Sequence, residues 1–101
     1  MVYAFNCPIG SCNGSYYGHT TQHLSNRIKQ HRYVSSSIAK HFHNDHDISV
    51  PIFDEFSKCF DVVFSSNETI RIKIVEALMI KTYRTYINVK YDVLNTLLKL
   101  F

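Results

Sequence analysis

The residues most able to do chemistry in this chain form two groups, and the first is a set of soft metal donors. Cys7 and Cys12 have four residues between them, and so do His41 and His46. Both spacings suit the two ends of a tetrahedral Cys₂His₂ zinc site. All six histidines lie between His19 and His46, so the donors are concentrated in the first half of the chain. Twenty-eight residues separate Cys12 from His41, where a ββα zinc finger has about twelve. Such a site is a clamp that staples a hairpin loop to a distant helix end, and a closed four-ligand site contributes folding free energy to a small domain. Surface histidines with buried thiols, or a Cys7–Cys12 disulfide, are the competing readings. Residues five apart on a helix sit about 140° apart, so His41 and His46 are expected to converge only if the helix ends between them; His43 with His46 is the rival pair.

The second group is suited to acid–base and phosphate chemistry. Glu76 has apolar helical neighbours in Ile72, Met79 and Ile80, and an unpaired buried carboxylate is costly. It either reaches water on a thin polar stripe with Lys73 and Lys81, or it is a metal or cation ligand facing Arg27 and the hairpin. Arg27 and His31, at i and i+4, share one face of a helix, which is either plainly solvated or the working face of a site. Tyr3, Tyr16 and Tyr17 are candidates for sheet packing, with Tyr16 and Tyr17 on opposite faces because strand residues alternate.

The elements that must position these groups are legible in order. Val2 to Phe5 and Ser15 to Gly18 flank turn chemistry at residues 7–14 and read as a β-hairpin with an elaborated turn. Thr20 or Thr21 caps a helix from about Gln22, and Ser35 caps a shorter one through Ile38, Ala39 and Phe42 that fails near Asn44-Asp45. Pro51 lies in the following connection. Phe60 to Phe64 reads as a third strand. Ser65-Ser66-Asn67 precedes a long helix from Glu68 to about Arg84 whose apolar residues occupy most of the circumference, so it is expected to be covered on more than one side. Val93, Leu94, Leu97, Leu98 and Phe101 continue as a final amphipathic helix. Cys59, beside the third strand, reads as core filling.

Composition bounds the rest. A chain of 101 residues builds one core, so residues 1–101 are expected to form one domain. With three Gly, two Pro and 46% hydrophobic residues, it is neither disordered nor fibrous. Eleven Lys and Arg against eight Asp and Glu leave a net charge of +3, a mild basic bias compatible with nucleic acid. Lys29, Arg32, Lys40 and Lys81 are the candidate phosphate contacts. No apolar run is long enough to span a bilayer, and the segment from Met1 to Asn26 does not read as a secretory signal, lacking its basic start and apolar block. An odd cysteine count without an export signal suggests a reducing, intracellular location.

Taken in order, Val2-Tyr3, Tyr16-Tyr17-Gly18-His19-Thr20, Leu24-x-x-Arg27-x-x-x-His31, Glu76-Ala77-Leu78 and Ile87-Asn88 resemble the motifs of the GIY-YIG nuclease superfamily across nearly the whole chain. The insert Cys7-x4-Cys12 between the first two motifs, and the later His pair, resemble the endonuclease domain of Penelope-like retroelements. The resemblance implies an α+β fold, a small three-stranded antiparallel sheet flanked by helices, here with a zinc clamp. It implies a metal-dependent DNA endonuclease that nicks duplex DNA in the nucleus. Carried over by position, Tyr3, Tyr16, Arg27, His31 and Glu76 are the catalytic residues and Asn88 is the late asparagine. Glu76 holds Mg²⁺ (or Mn²⁺), while Cys7, Cys12, His41 and His46 hold structural Zn²⁺. His19 stands where relatives have a polar or basic residue able to touch phosphate. A reverse transcriptase or further DNA-binding domain, fused or separate, is the expected partner. Two alternatives are a non-cleaving zinc-stabilised DNA-binding module derived from such a nuclease, and a zinc-stabilised interaction domain with accidental motif matches.

Overall fold

Alternation of apolar residues along Val2–Phe5 produces the central strand of the molecule. The computed structural model describes residues 1–10, 12 and 14–91. Strands β1 (Val2–Asn6), β2 (Ser15–His19) and β3 (Phe60–Phe64) form an antiparallel sheet in the order β2-β1-β3. The helices are α1 (Leu24–His31), α2 (Ser37–His46), α3 (Phe53–Ser57), α4 (Thr69–Tyr83) and α5 (Tyr86–Tyr91). The fold is therefore the expected α+β arrangement of three antiparallel strands flanked by helices. The final helix expected from Val93 to Phe101 lies outside the described residues.

Register decides which side chains share a face. Tyr3 pairs with Gly18 and Val62, and Phe5 with Tyr16 and Phe60, so Tyr3, Phe5, Tyr16 and Phe60 project together. They form the core with Ile28, Ile38, Phe42, Phe56 and Ile87. Phe5, Phe42, Phe56 and Phe60 pack ring to ring at centroid distances of 5.0–6.1 Å, within the range of favourable edge and tilted contacts. Val2, Ala4, Tyr17 and His19 face the other way, where α4 lies against β1 and β2.

Helix starts depart slightly from expectation. His23, not Thr20 or Thr21, is the N-cap of α1, and Thr20 Oγ1 instead accepts from the Gln22 N–H just upstream. Ser36, not Ser35, caps α2 by accepting from the Ala39 N–H at 3.0 Å. Ser66 accepts from the Glu68 N–H ahead of α4. In each case a hydroxyl satisfies a backbone donor near the expected turn, shifted by a residue or two.

Two larger differences matter more. Helix α2 does not fail at Asn44-Asp45 but runs to His46, ending where Asp47 adopts a left-handed conformation at φ 55°; hydrogen bonds made by the Asp45 side chain, described below, hold that last turn. Among the described residues, helix α4 is buried along one stripe. Ile72, Glu76 and Ile80 are buried at i, i+4 and i+8, whereas Ile70, Ile74 and Leu78 are more than half exposed. A helix apolar all round does not say which stripe the fold will use, and a three-stranded sheet offers it one face. Sequence reading also missed α3, in the connection after Pro51. Its Phe56 is fully buried among Phe5, Phe42 and Phe60.

Gly18 is the tightest point in the sheet. A Cβ added there would collide with the hydroxyl of Tyr3 and lie 2.6 Å from its Cζ and 2.9 Å from Cε1 of Tyr16. Both rings belong to the buried core, so neither can swing aside. Gly18→Ala should therefore destabilise the fold by about 1–3 kcal/mol, the usual cost of overpacking, measured by chemical denaturation.

Candidate functional site

Because successive residues of β2 point to opposite faces, Tyr16 belongs to the core side of the sheet and His19 to the α4 side. Strand β2 is an edge strand, so groups from both faces can meet around its free side. They do so in an open cleft of about 440 Å³ lined by Tyr16, His19, Thr20, Arg27, Lys73 and Glu76, among others. Arg27 comes from α1, and Lys73 and Glu76 come from adjacent turns of α4.

On the core side the groups form a chain. Arg27 Nε–H donates to the Tyr3 hydroxyl oxygen at 3.1 Å, and that hydroxyl lies 2.5 Å from His31 Nε2. With Arg27 donating to the oxygen, the phenolic proton is directed at His31. Tyr3 is fully buried and His31 nearly so. Tyr16 packs edge-on to His31, with ring centroids 5.3 Å apart, and reaches the cleft. Burial, reinforced by the nearby Arg27 cation, lowers the His31 pKa to about 3, so its imidazole stays neutral and accepts rather than carries a proton. Burial alone would disfavour the Arg27 cation, but Tyr3, Tyr16 and Glu76 outweigh it and hold the guanidinium pKa above its ordinary value. Arg27 Nη1 also donates to Gln30 Oε1.

On the α4 side, Glu76 is fully buried and is contacted by His19, through Nδ1 and Oε2. The polar-stripe reading of Glu76 is thereby excluded, because the carboxylate points at the sheet and the cleft. Asn88, from α5, holds β2 in place. Its Nδ2 donates to the Tyr17 carbonyl at 2.9 Å and its Oδ1 accepts from the Tyr17 N–H at 2.7 Å. One amide thus satisfies both backbone groups at the free edge of the strand. Thr85 Oγ1 also donates to Asn88 Oδ1.

Away from the cleft, Cys7, Cys12, His41 and His46 bring one ligand atom each to within 4.8 Å of one another. Cys7 Sγ is 3.5 Å from His46 Nε2, and Cys12 Sγ is 3.6 Å from His41 Nε2. A tetrahedral zinc with ordinary bond lengths separates sulfur from nitrogen by about 3.5 Å, so the four donors fit a metal ion. The cysteines are free thiols, not a disulfide, and His43 is exposed in a separate groove. The two imidazoles converge although the helix continues between them, their rings meeting at 88° with centroids 4.8 Å apart. Burial pushes the Cys7 thiol pKa up to about 11, with Cys12 adding to the effect. It also lowers that of His41, against the opposing pull of Asp45. Without a cation nearby, a Cys7 thiolate is therefore unfavourable here.

Asp45, which sequence reading did not single out, orients this cluster. Its Oδ2 lies 2.7 Å from His41 Nδ1. Its Oδ1 accepts from Lys90 Nζ and the Tyr91 hydroxyl, both at 2.6 Å. Burial opposes its charge, but hydrogen bonds from Lys90, Tyr91 and His41 win and hold it well below the usual carboxylate range. A carboxylate behind a ligating histidine fixes which ring nitrogen faces the metal, and the i, i+4 spacing from His41 was the available signal. Helix α5 consequently joins the Cys₂His₂ cluster, through Lys90 and Tyr91, to the edge of β2, through Asn88. Gly14 completes the cluster, its N–H donating to Cys12 Sγ at 3.3 Å while an added Cβ would lie 2.7 Å from His41 Nε2.

The fold and cleft thus define a small α+β domain with a polar cleft at the free edge of its sheet. The family model for the GIY-YIG catalytic domain matches residues 1–92, and the chain belongs to that family, which supplies the general expectations of DNA as substrate and metal dependence. No curated protein and no solved structure matches it.

Of the sequence-predicted residues, Tyr16, Arg27 and Glu76 meet in the cleft, with Tyr3 and His31 directly behind Arg27. Lys73 was paired with Lys81 on a solvated stripe, but it lines the cleft one turn from Glu76. Arg32 and Lys40 instead line a second groove with His43, and Lys29 lies over the Phe53 ring. Among the described residues, no helix is long and apolar enough to cross a membrane.

The depressed His31 pKa has a definite consequence. Between about pH 6.5 and pH 3 the unfolded chain takes up a proton at this position that the folded chain refuses. The folded state therefore loses stability as the pH falls through 6.5. The stability difference between wild type and His31→Gln should shrink by roughly 1 kcal/mol per pH unit on acidification from pH 6 to 4, as read by urea denaturation at each pH.

Proposed function

We infer that this domain is a metal-dependent DNA endonuclease that hydrolyses phosphodiester bonds and leaves a nick. The observation that carries the reading is the meeting of Glu76, Arg27, Lys73 and Tyr16 in one cleft, from three different elements. A phosphodiester needs cations for its oxygens, an anionic seat for a divalent ion and a proton acceptor for the attacking water. The donor set fits such an ion. A buried carboxylate opening on a cleft is the kind of ligand Mg²⁺ uses, one or two at a time, with substrate oxygens supplying others. When bound, that ion supplies Lewis-acid polarisation of the scissile phosphate.

The remaining work falls to the chain. Arg27 presents its guanidinium to the charge developing on the phosphate oxygens, and Lys73 binds phosphate beside it. Tyr16, the phenol that lines the cleft, takes the proton of the attacking water as its phenolate, its own phenolic proton having first left to solvent through the open cleft. Tyr3 and His31 are positioning residues. They hold Arg27 through Nε and keep a neutral, proton-accepting network behind it. The clamp is filled by zinc, which Cys₂His₂ donors select. The cysteine insert between the two tyrosine motifs supports a retroelement origin, and with it a reverse transcriptase or DNA-binding partner domain and a nuclear site of action. The alternative, a non-cleaving DNA-binding module, is disfavoured by the assembled cleft, since a domain that only binds has no need of a buried carboxylate facing its cations.

Wild type with Mg²⁺ should relax supercoiled plasmid, whereas Glu76→Ala and Arg27→Ala should bind duplex DNA without relaxing it. Binding by all three proteins with no relaxation by any would establish the non-cleaving module instead. Tyr16→Phe should lower the nicking rate by about 10²–10⁴-fold, the usual worth of a general base, and Tyr3→Phe by less. Purified protein should carry one zinc per chain, lost in Cys7→Ser and His41→Ala together with much of the thermal stability. Folded, metal-free wild type would overturn the zinc assignment.

A further inference from the structure

The contact between His19 and Glu76 has no role in the hydrolysis described above. We propose that His19 is a second protein ligand to the divalent ion seated at Glu76, and that this His–Glu pair turns the cleft's preference from Mg²⁺ toward Mn²⁺. The inference rests on Glu76 being the metal carboxylate and goes further in naming a second ligand and the metal class it selects.

Four observations carry it. His19 Nδ1 lies directly against Glu76 Oε2, so a nitrogen and an oxygen donor already point at one another. Glu76 is fully buried, while the His19 side chain is about a quarter exposed and both line the same cleft; an ion reaches the pair from the His19 side. The cations Arg27 and Lys73 share that cleft, so a phosphate drawn there would complete a ligand set of nitrogen, carboxylate and phosphate oxygen. Strand β2 also holds His19 on a fixed backbone, because Asn88 grips Tyr17 two residues before it. Ion binding at Nδ1 releases to solvent the hydrogen shared between Nδ1 and Oε2, and the imidazole that ligates is the neutral form with its single proton on Nε2. Mg²⁺ demands oxygen ligands in near-ideal octahedral geometry and keeps its waters, whereas Mn²⁺, which also favours oxygen, is a first-row transition metal and admits an imidazole nitrogen more readily than Mg²⁺ does.

The test uses the full chain with its clamp filled by one equivalent of zinc, titrated with Mn²⁺ and followed by electron paramagnetic resonance, with Mg²⁺ as competitor. Wild type should bind one Mn²⁺ whose electron-spin-echo modulation shows a directly coordinated imidazole nitrogen. His19→Ala should lose that nitrogen signal and weaken Mn²⁺ binding by about 10-fold or more, with Mg²⁺ affinity little changed. His19→Gln, which keeps a polar side chain at the same place, should behave as His19→Ala while retaining wild-type zinc content and circular dichroism, so that misfolding is separated from ligand loss. Glu76→Gln should weaken both ions. Absence of the nitrogen signal in wild type, absence of Mn²⁺ binding, or an unchanged Mn²⁺ to Mg²⁺ ratio in folded His19→Gln would overturn the proposal. Wild type that nicks plasmid in Mg²⁺ without nitrogen coordination removes His19 as a ligand and leaves the nuclease reading standing. Protein that coordinates Mn²⁺ through His19 but cuts no DNA does the reverse.

Discussion

One edge strand governs the arrangement of this molecule. Strand β2 is five residues long, and the alternation of its side chains sends Tyr16 into the aromatic core and His19 toward α4. Two chemically different half-sites are therefore built on opposite faces of the sheet, and they communicate only because the strand between them has a free side. Such an edge leaves backbone donors and acceptors exposed to mispairing. Here the Asn88 amide closes it by bonding both backbone groups of Tyr17. Gly18 contributes the complementary constraint, since the Tyr3 phenol lies where any side chain at that position would be.

The Cys₂His₂ cluster bears on the same strand from a distance. Cys7 and Cys12 bracket the loop that leads into β2, and His41 and His46 lie on α2. The Asp45 carboxylate, behind His41, binds Lys90 and Tyr91 of α5, the helix that carries Asn88. A cation at the cluster would relieve the cost of burying thiolates and imidazoles together, and so would fasten the hairpin loop, α2 and α5 at one point. In a chain of 101 residues, where the aromatic core is small, a fastening of this kind substitutes for buried apolar area. The polar asymmetry of the cleft follows from the same construction. Neutral His31 and fully buried Tyr3 stand behind Arg27, so the guanidinium is held from behind and its charge faces the cleft.

How much of this was legible beforehand depended on the range of the interaction involved. The strands were readable because β-branched and aromatic residues in short runs between turn residues have few other solutions. The Cys and His pairs were readable as donors because their spacings within each pair are local. Helix α3 was missed because its five residues follow a proline and carry too short a pattern to register, although Phe56 sits at the centre of the core. The face of α4 could not be read because Ile70, Ile74 and Leu78 repeat with the same period as Ile72, Glu76 and Ile80. The run of α2 to His46 was misjudged because Asn44 and Asp45 are poor helix formers locally, while the bonds that Asp45 makes to α5 are tertiary.

By itself, the amino-acid sequence determined the element types, the alternation along β1 and β2, the supply of thiols and imidazoles, and the motif order that places the chain in its family. Only the tertiary structure decided that Glu76 faces His19 and the cleft, that Lys73 and not Lys81 joins it, that His46 and not His43 completes the metal cluster, and that Asp45 and Asn88 brace the whole. The physical reason is common to all of these. Each depends on two groups separated by tens of residues choosing one partner among several with the same local pattern, and that choice is made by packing, which no local period encodes.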